Sequence, residues 1–146
     1  MSDQIFQIPS MRDGASACHP RFVALRCLIV DDNQEFLEAA RDLLENGGLD
    51  VVGTAEGAAD GVQRVLDLRP DVVLVDFHLG QESGFRVSRG LVQVMGIDAP
   101  PVIFISTYSE PDLVELVAST PAIGLLPKSE LSAEAVMSML EPEGNG

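Results

Sequence analysis

The stretch Val72-Val73-Leu74-Val75-Asp76-Phe77-His78-Leu79-Gly80 constrains the fold more than any other. An unbroken apolar run stops at one carboxylate and passes into a polar loop that carries glycine. Apolar residues without alternation mark a strand buried on both faces, as in a parallel sheet covered by helices. Asp76 then stands where that strand surfaces, and in open α/β sheets the ligand crevice lies just outside the carboxyl ends of the strands. Taken alone, an Asp after a strand is most often a turn or helix-cap residue. Three other apolar runs that also end in polar groups point beyond that reading. Residues 25–30 end at Asp31-Asp32-Asn33, residues 102–105 at Ser106-Thr107-Tyr108, and residues 123–126 at Pro127-Lys128.

Between these runs the apolar period changes to that of a helix. Phe36, Leu37, Ala40, Leu43 and Leu44 predict a first helix over 34–46, with Asn33 as N-cap and Gly47-Gly48 as its stop. A short strand is expected over 51–54 and a second helix from about residue 55 to 68, closed by Pro70. Phe85, Val87, Leu91, Val92 and Met95 predict a third helix, although Gly90 opposes it. A fourth helix is expected from about Ser109 to Thr120, and a fifth behind Ser129 or Ser132 through Leu140. Five strands alternating with five helices predict an α/β fold, a parallel sheet with right-handed crossovers and helices on both faces. At 146 residues the chain holds one domain, expected over 25–140. Residues 1–24 show no sustained period and are expected to be a flexible leader, and 141–146 a short tail.

The 23 acidic against 9 basic side chains give a formal charge of -14. That charge repels phosphate polyanions and anionic lipid surfaces, so neither direct nucleic-acid binding nor membrane association is expected. No apolar run reaches bilayer length and no signal peptide opens the chain, which predicts a cytoplasmic protein. Cys18 and Cys27 form neither a disulfide framework nor a metal-spaced cluster, and Cys27, inside an apolar run, reads as a small core residue.

Parallel strands bring their carboxyl ends to one edge, so Asp31, Asp32, Asp76, Ser106 and Lys128 converge on one crevice. Three acids without cysteine or ligand-spaced histidine favour a hard cation held by oxygen. Mg²⁺, which keeps waters and bridges to phosphate oxygens, fits that set better than Zn²⁺ or a caged Ca²⁺. A carboxylate, a divalent cation, a hydroxyl and a lysine are together the parts needed to move a phosphoryl group onto an aspartate.

The ordered set Leu28-Ile29-Val30-Asp31-Asp32, Val73-Leu74-Val75-Asp76 with Gly84 eight residues on, Ile103-Phe104-Ile105-Ser106 and Leu126-Pro127-Lys128-Ser129 resembles the receiver domain of bacterial two-component response regulators. The resemblance covers about Leu25 to Leu140. The spacings also match, with 45 residues from Asp31 to Asp76, 30 on to Ser106 and 52 from Asp76 to Lys128. It implies a flavodoxin-like sheet of strand order 2-1-3-4-5. It also implies a signalling domain that accepts a phosphoryl group on Asp76 from a sensor histidine kinase or phosphotransfer protein, with its own Mg²⁺-dependent autophosphorylation and autodephosphorylation. Mg²⁺, or Mn²⁺ in its stead, would be held by Asp32 directly, by Asp31 mostly through water, by Asp76 and by the backbone carbonyl of His78. Lys128 would pair with the phosphate and Ser106 would hydrogen-bond it. The output would be a protein-interaction surface, and a homodimer would form through the fourth helix, fifth strand and fifth helix.

Three departures from the family stand out. Ser129 follows Lys128 where the family usually has proline, as in receivers with a helix-turn-helix output. Leu125 occupies the position of the family's aromatic switch. The chain ends within six residues of Leu140, so a stand-alone receiver or a truncated one is expected. With Leu125 unable to switch, Thr107 and Tyr108, the only tyrosine, are candidates to carry movement of Ser106 outward; Tyr108 packed on the fourth helix is the simpler reading. A haloacid-dehalogenase-type phosphatase would need an acid where His78 stands. A flavodoxin-like binding protein would have a phosphate-cradling loop where Asp31-Asp32 stand. An inactive receiver-like interaction module would not need the intact acids and Lys128.

Overall fold

The computed structural model describes residues 24–107 and 111–141. The expected leader, apart from Ala24, and the tail, apart from Glu141, lie outside the described residues, as does Tyr108. The elements in order are β1 (Arg26–Val30), α1 (Gln34–Asn46), β2 (Asp50–Ala55), α2 (Ala58–Leu68) and β3 (Val72–Asp76). There follow the two-residue strands β4 (His78–Leu79) and β5 (Glu82–Ser83), then α3 (Phe85–Met95), β6 (Val102–Ser106), α4 (Pro111–Ala118), β7 (Gly124–Pro127) and α5 (Ala133–Leu140).

Every residue of β3 and β6 is buried, as two-faced strands require. The main sheet is parallel in the order β2-β1-β3-β6-β7. Without the antiparallel β4-β5 hairpin this is the 2-1-3-4-5 order expected of a flavodoxin-like sheet. Alternate side chains of the central strands feed two cores. Cys27, Ile29, Leu74, Ile103 and Ile105 meet Leu37, Ala40 and Leu44 of α1 and Val136 of α5. Leu28, Val30, Val73, Val75 and Phe104 meet Val65 of α2, Val87 and Leu91 of α3, and Leu113 and Val117 of α4. The helices therefore lie on both faces, two against three. Cys27 is fully buried, and burial pushes its thiol up to about 12. Among the described residues no helix is long and apolar enough to cross a membrane.

Where boundaries differ from the sequence reading, a contact remote in sequence decides. The second helix starts at Ala58 rather than near residue 55. Ala55 is held in β2 opposite Val30, and its carbonyl accepts from the Asp31 amide. The orphan amide of Ala58 donates to Glu82 Oε1 at 3.0 Å, a cap supplied from 24 residues away. Gly90 does not interrupt α3, because a Cβ there would lie 3.0 Å from Val62 Cγ2, so glycine permits close packing of α2 on α3. The fourth helix ends at Ala118, where the Ser119 and Thr120 hydroxyls donate to the carbonyls of Leu116 and Val117. Asn33 caps α1 by accepting from the Phe36 amide, and Ser132, not Ser129, caps α5 by accepting from Ala135.

Candidate functional site

The carboxyl ends of β1, β3, β6 and β7 place the site residues along one edge. Asp31 directly follows β1, Asp76 and Ser106 are the last residues of β3 and β6, and Lys128 directly follows β7. Asp31 is 0% exposed, Ser106 1% and Asp76 6%, while Asp32 is exposed. Burying carboxylates is costly unless they are paired. Here the backbone supplies part of the pairing: the Asn33 amide donates to Asp31 Oδ1 at 2.8 Å and the His78 amide to Asp76 Oδ1 at 3.0 Å. Both are tight turns in which an acid at a strand end binds the amide two residues on. Gly84 sits against this turn. Its amide donates to the Phe77 carbonyl at 2.7 Å, and a Cβ there would collide with the Asp76 carbonyl oxygen, so only glycine fits eight residues after Asp76.

Lys128 joins the two buried acids. Its Nζ lies 2.7 Å from Asp31 Oδ2 and 3.1 Å from Asp76 Oδ2. The contact with Asp76 is a hydrogen bond and the contact with Asp31 a close ion pair, and the buried Asp31 Oδ2 has this ammonium as its partner. The ammonium also lies 4.1 Å from the centroid of the Phe36 ring. Burial raises the Asp31 carboxyl above its usual range, against the opposing Lys128 contact and Asn33 amide, and the charge of Asp76 pushes the same way. Burial alone would lower Lys128, but Asp31 and Asp76 outweigh it and raise its pKa.

On the other side of Asp76 the surroundings are aromatic. The rings of Phe77 and Phe85 meet edge to face at 4.9 Å, those of Phe77 and Phe104 at 5.8 Å, and those of Phe85 and Phe104 at 5.6 Å. The His78 side chain is exposed, with its ring at the Phe77 edge, 5.1 Å away. Thr107 is exposed; Leu125 packs partly buried on the α2-α3-α4 side.

Asp31, Asp32 and Asp76 each offer an oxygen within 4.8 Å of the others. An all-oxygen set of three acids, two of them buried, fits a hard divalent cation such as Mg²⁺. The sequence brought these acids and Lys128 together correctly. It did not reveal the Phe36 ring against Lys128, whose only signal was an aromatic residue three positions after the helix cap, nor the Glu82 cap.

The model of the response regulator receiver domain family matches residues 27–141. A protein-glutamate methylesterase/protein-glutamine glutaminase of Halobacterium salinarum is 33% identical over 85 residues, 58% of this chain and 24% of that protein. The chain thus spans about a quarter of that relative's length. A two-component response regulator of the LuxR family from Aurantimonas superposes with a TM-score of 0.70 at 25% identity, covering 80% of this chain and 83% of that one. The signal receiver domain of a modulated diguanylate cyclase from Desulfovibrio desulfuricans gives a TM-score of 0.66 at 27% identity over 81% and 91% of the two chains.

Proposed function

The chain belongs to the response regulator receiver domain family, a family of signalling modules, and from that premise we propose that it accepts a phosphoryl group on Asp76 in a Mg²⁺-dependent reaction. The observation that carries the proposal is the Lys128 ammonium set between buried Asp31 and Asp76, with Asp32 completing the acidic set. Asp31, Asp32, Asp76 and the backbone carbonyl of His78 hold the cation, and Mn²⁺ suits the same oxygens. When bound, Mg²⁺ supplies positive charge to the oxygens of the transferring group.

The donor is a phosphohistidine of a sensor histidine kinase or phosphotransfer protein. Asp76 forms a bond to phosphorus as the bond to the donor imidazole nitrogen breaks, and the imidazole keeps the electron pair. The His78 amide fixes the orientation of the carboxylate through Oδ1, and Lys128 steadies charge on the incoming phosphoryl oxygens. Ser106 then hydrogen-bonds the phosphoryl group, and its shift passes through Thr107 and Tyr108 to the face formed by α4, β7 and α5. That face exposes Val114, Leu116, Ile123 and Met137 and serves for pairing with a second copy. Its acidity sets the chain apart from nucleic-acid and lipid partners, and we place it in the cytoplasm with its kinase.

The test is intact mass after incubation with acetyl phosphate. Wild type takes up one phosphoryl group only with Mg²⁺, and Asp76→Asn takes up none while keeping its fold by circular dichroism. Uptake by Asp76→Asn at the wild-type rate would refute the assignment.

A further inference from the structure

We propose that Phe36 is a positioning residue for phosphoryl acceptance: its ring face holds the chain's only lysine on the carboxylates of Asp31 and Asp76. The inference deepens the phosphoacceptor reading and rests on it. Lys128 is the sole lysine among the 146 residues, so no other ammonium can take its place. A lysine head is a compact charge on a flexible four-carbon stem, without the fixed fork that orients arginine, and something must keep it over the acids. Phe36 does so from 4.1 Å.

The contacts close into a circuit. Asp31 Oδ1 accepts from the Asn33 amide, Asn33 Oδ1 accepts from the Phe36 amide at 3.1 Å, the Phe36 ring faces Lys128 Nζ, and Nζ returns to Asp31 Oδ2. The helix cap thus fixes where the ring stands, and the ring fixes where the ammonium stands. At the third residue of a capped helix the common choice is a Glu or Gln that reaches back to the cap. Phenylalanine there gives up that bond and gains a face toward the lysine. In a site with three acids, a ring attracts the cation through its quadrupole without adding a fourth negative charge. It also accepts none of the three N–H donors in the way an oxygen would, so two serve Asp31 and Asp76 and one is left for a phosphoryl oxygen.

The plainer account is that Phe36, packed against the core of α1 and α5, only fills space. Phe36→Leu keeps apolar bulk and removes the ring face; Phe36→Tyr keeps the face. With a single lysine, ¹³C-lysine labelling gives one ε-methylene signal, which the ring current moves upfield in wild type. We expect Phe36→Leu to lose that shift and to slow uptake from acetyl phosphate about 10-fold, and Phe36→Tyr to retain both. A double-mutant cycle of Phe36→Leu with Lys128→Met, read by urea denaturation, should show coupling. That cycle and the methylene shift do not depend on phosphate, so they decide the placement even if wild type takes none up and the phosphoacceptor reading fails. An unshifted methylene in wild type, zero coupling, unchanged uptake in Phe36→Leu, or equal slowing in Leu and Tyr variants would each overturn the proposal.

Discussion

Asp76 divides two surroundings of opposite kind. Toward α1 it faces charge: Lys128, buried Asp31 and exposed Asp32, with one ammonium shared between two buried carboxylates. Toward α3 it backs onto the Phe77, Phe85 and Phe104 rings, packed edge to face. The aromatic half is where the fold gains, because apolar rings leave water and meet in favourable geometry. The charged half is where the fold loses, because desolvating carboxylates costs more than one lysine returns. The two halves are complementary: packed rings on one side of the strand end, and on the other a polar set gathered on one shared ammonium.

Substitutions can break this contrast. The largest expected effect is on the aromatic side. Phe104 is fully buried, and Phe104→Ala should lower the unfolding free energy by about 3–5 kcal/mol, a large share of the ~5–15 kcal/mol typical of a domain. Urea denaturation monitored by circular dichroism measures it, and a loss below about 1 kcal/mol would mean that the rings do not form a floor.

The charged side should respond in the opposite direction. Asp31→Asn, without Mg²⁺, removes a desolvated charge while Lys128 keeps Asp76, and should stabilise the chain by about 1 kcal/mol at neutral pH while weakening Mg²⁺ affinity. Destabilisation, or Mg²⁺ affinity unchanged by calorimetric titration, would erase the contrast.

The smallest effect is a pH dependence. The folded Asp31 carboxyl lies above its ordinary value of 3.8, so the folded state binds that proton more tightly than the unfolded chain. Stability from this group is therefore lowest above the raised value and rises as pH falls through it toward 3.8. Lys128 does not contribute to that slope. Its raised pKa adds stability present throughout the acid and neutral range and lost only at alkaline pH, above its ordinary 10.5. As pH falls toward 3.8, the urea midpoint of metal-free wild type should rise relative to that of Asp31→Asn. Parallel midpoints would remove Asp31 as the source.

The same division explains what could be read from the sequence. Strand cores such as Val72–Asp76 and Val102–Ser106 were legible because burial on both faces leaves no choice but an unbroken apolar run. The convergence of Asp31, Asp76 and Lys128 followed from parallel topology alone. The β4-β5 hairpin was read as loop because two-residue strands carry no periodicity, and the start of α2 was misplaced because its cap comes from Glu82. In sequence the Phe36 ring reads only as part of the apolar stripe of the first helix. Its contact with Lys128 spans most of the chain and depends on how α1 enters from its cap, which no local pattern records.

Cys27 has a consequence of another sort. A thiol in the middle of the sheet, fully buried and pushed up to about 12, is silent toward alkylating reagents while β1 stays in place. Cys18 is the only other thiol, so in a Cys18→Ser chain uptake of an alkyl group counts the moments when the sheet comes apart. The chain carries its own clock for opening, and the clock sits two strands from β6, with β3 between, so its rate follows loss of the whole sheet rather than fraying at the edge where the carboxylates gather.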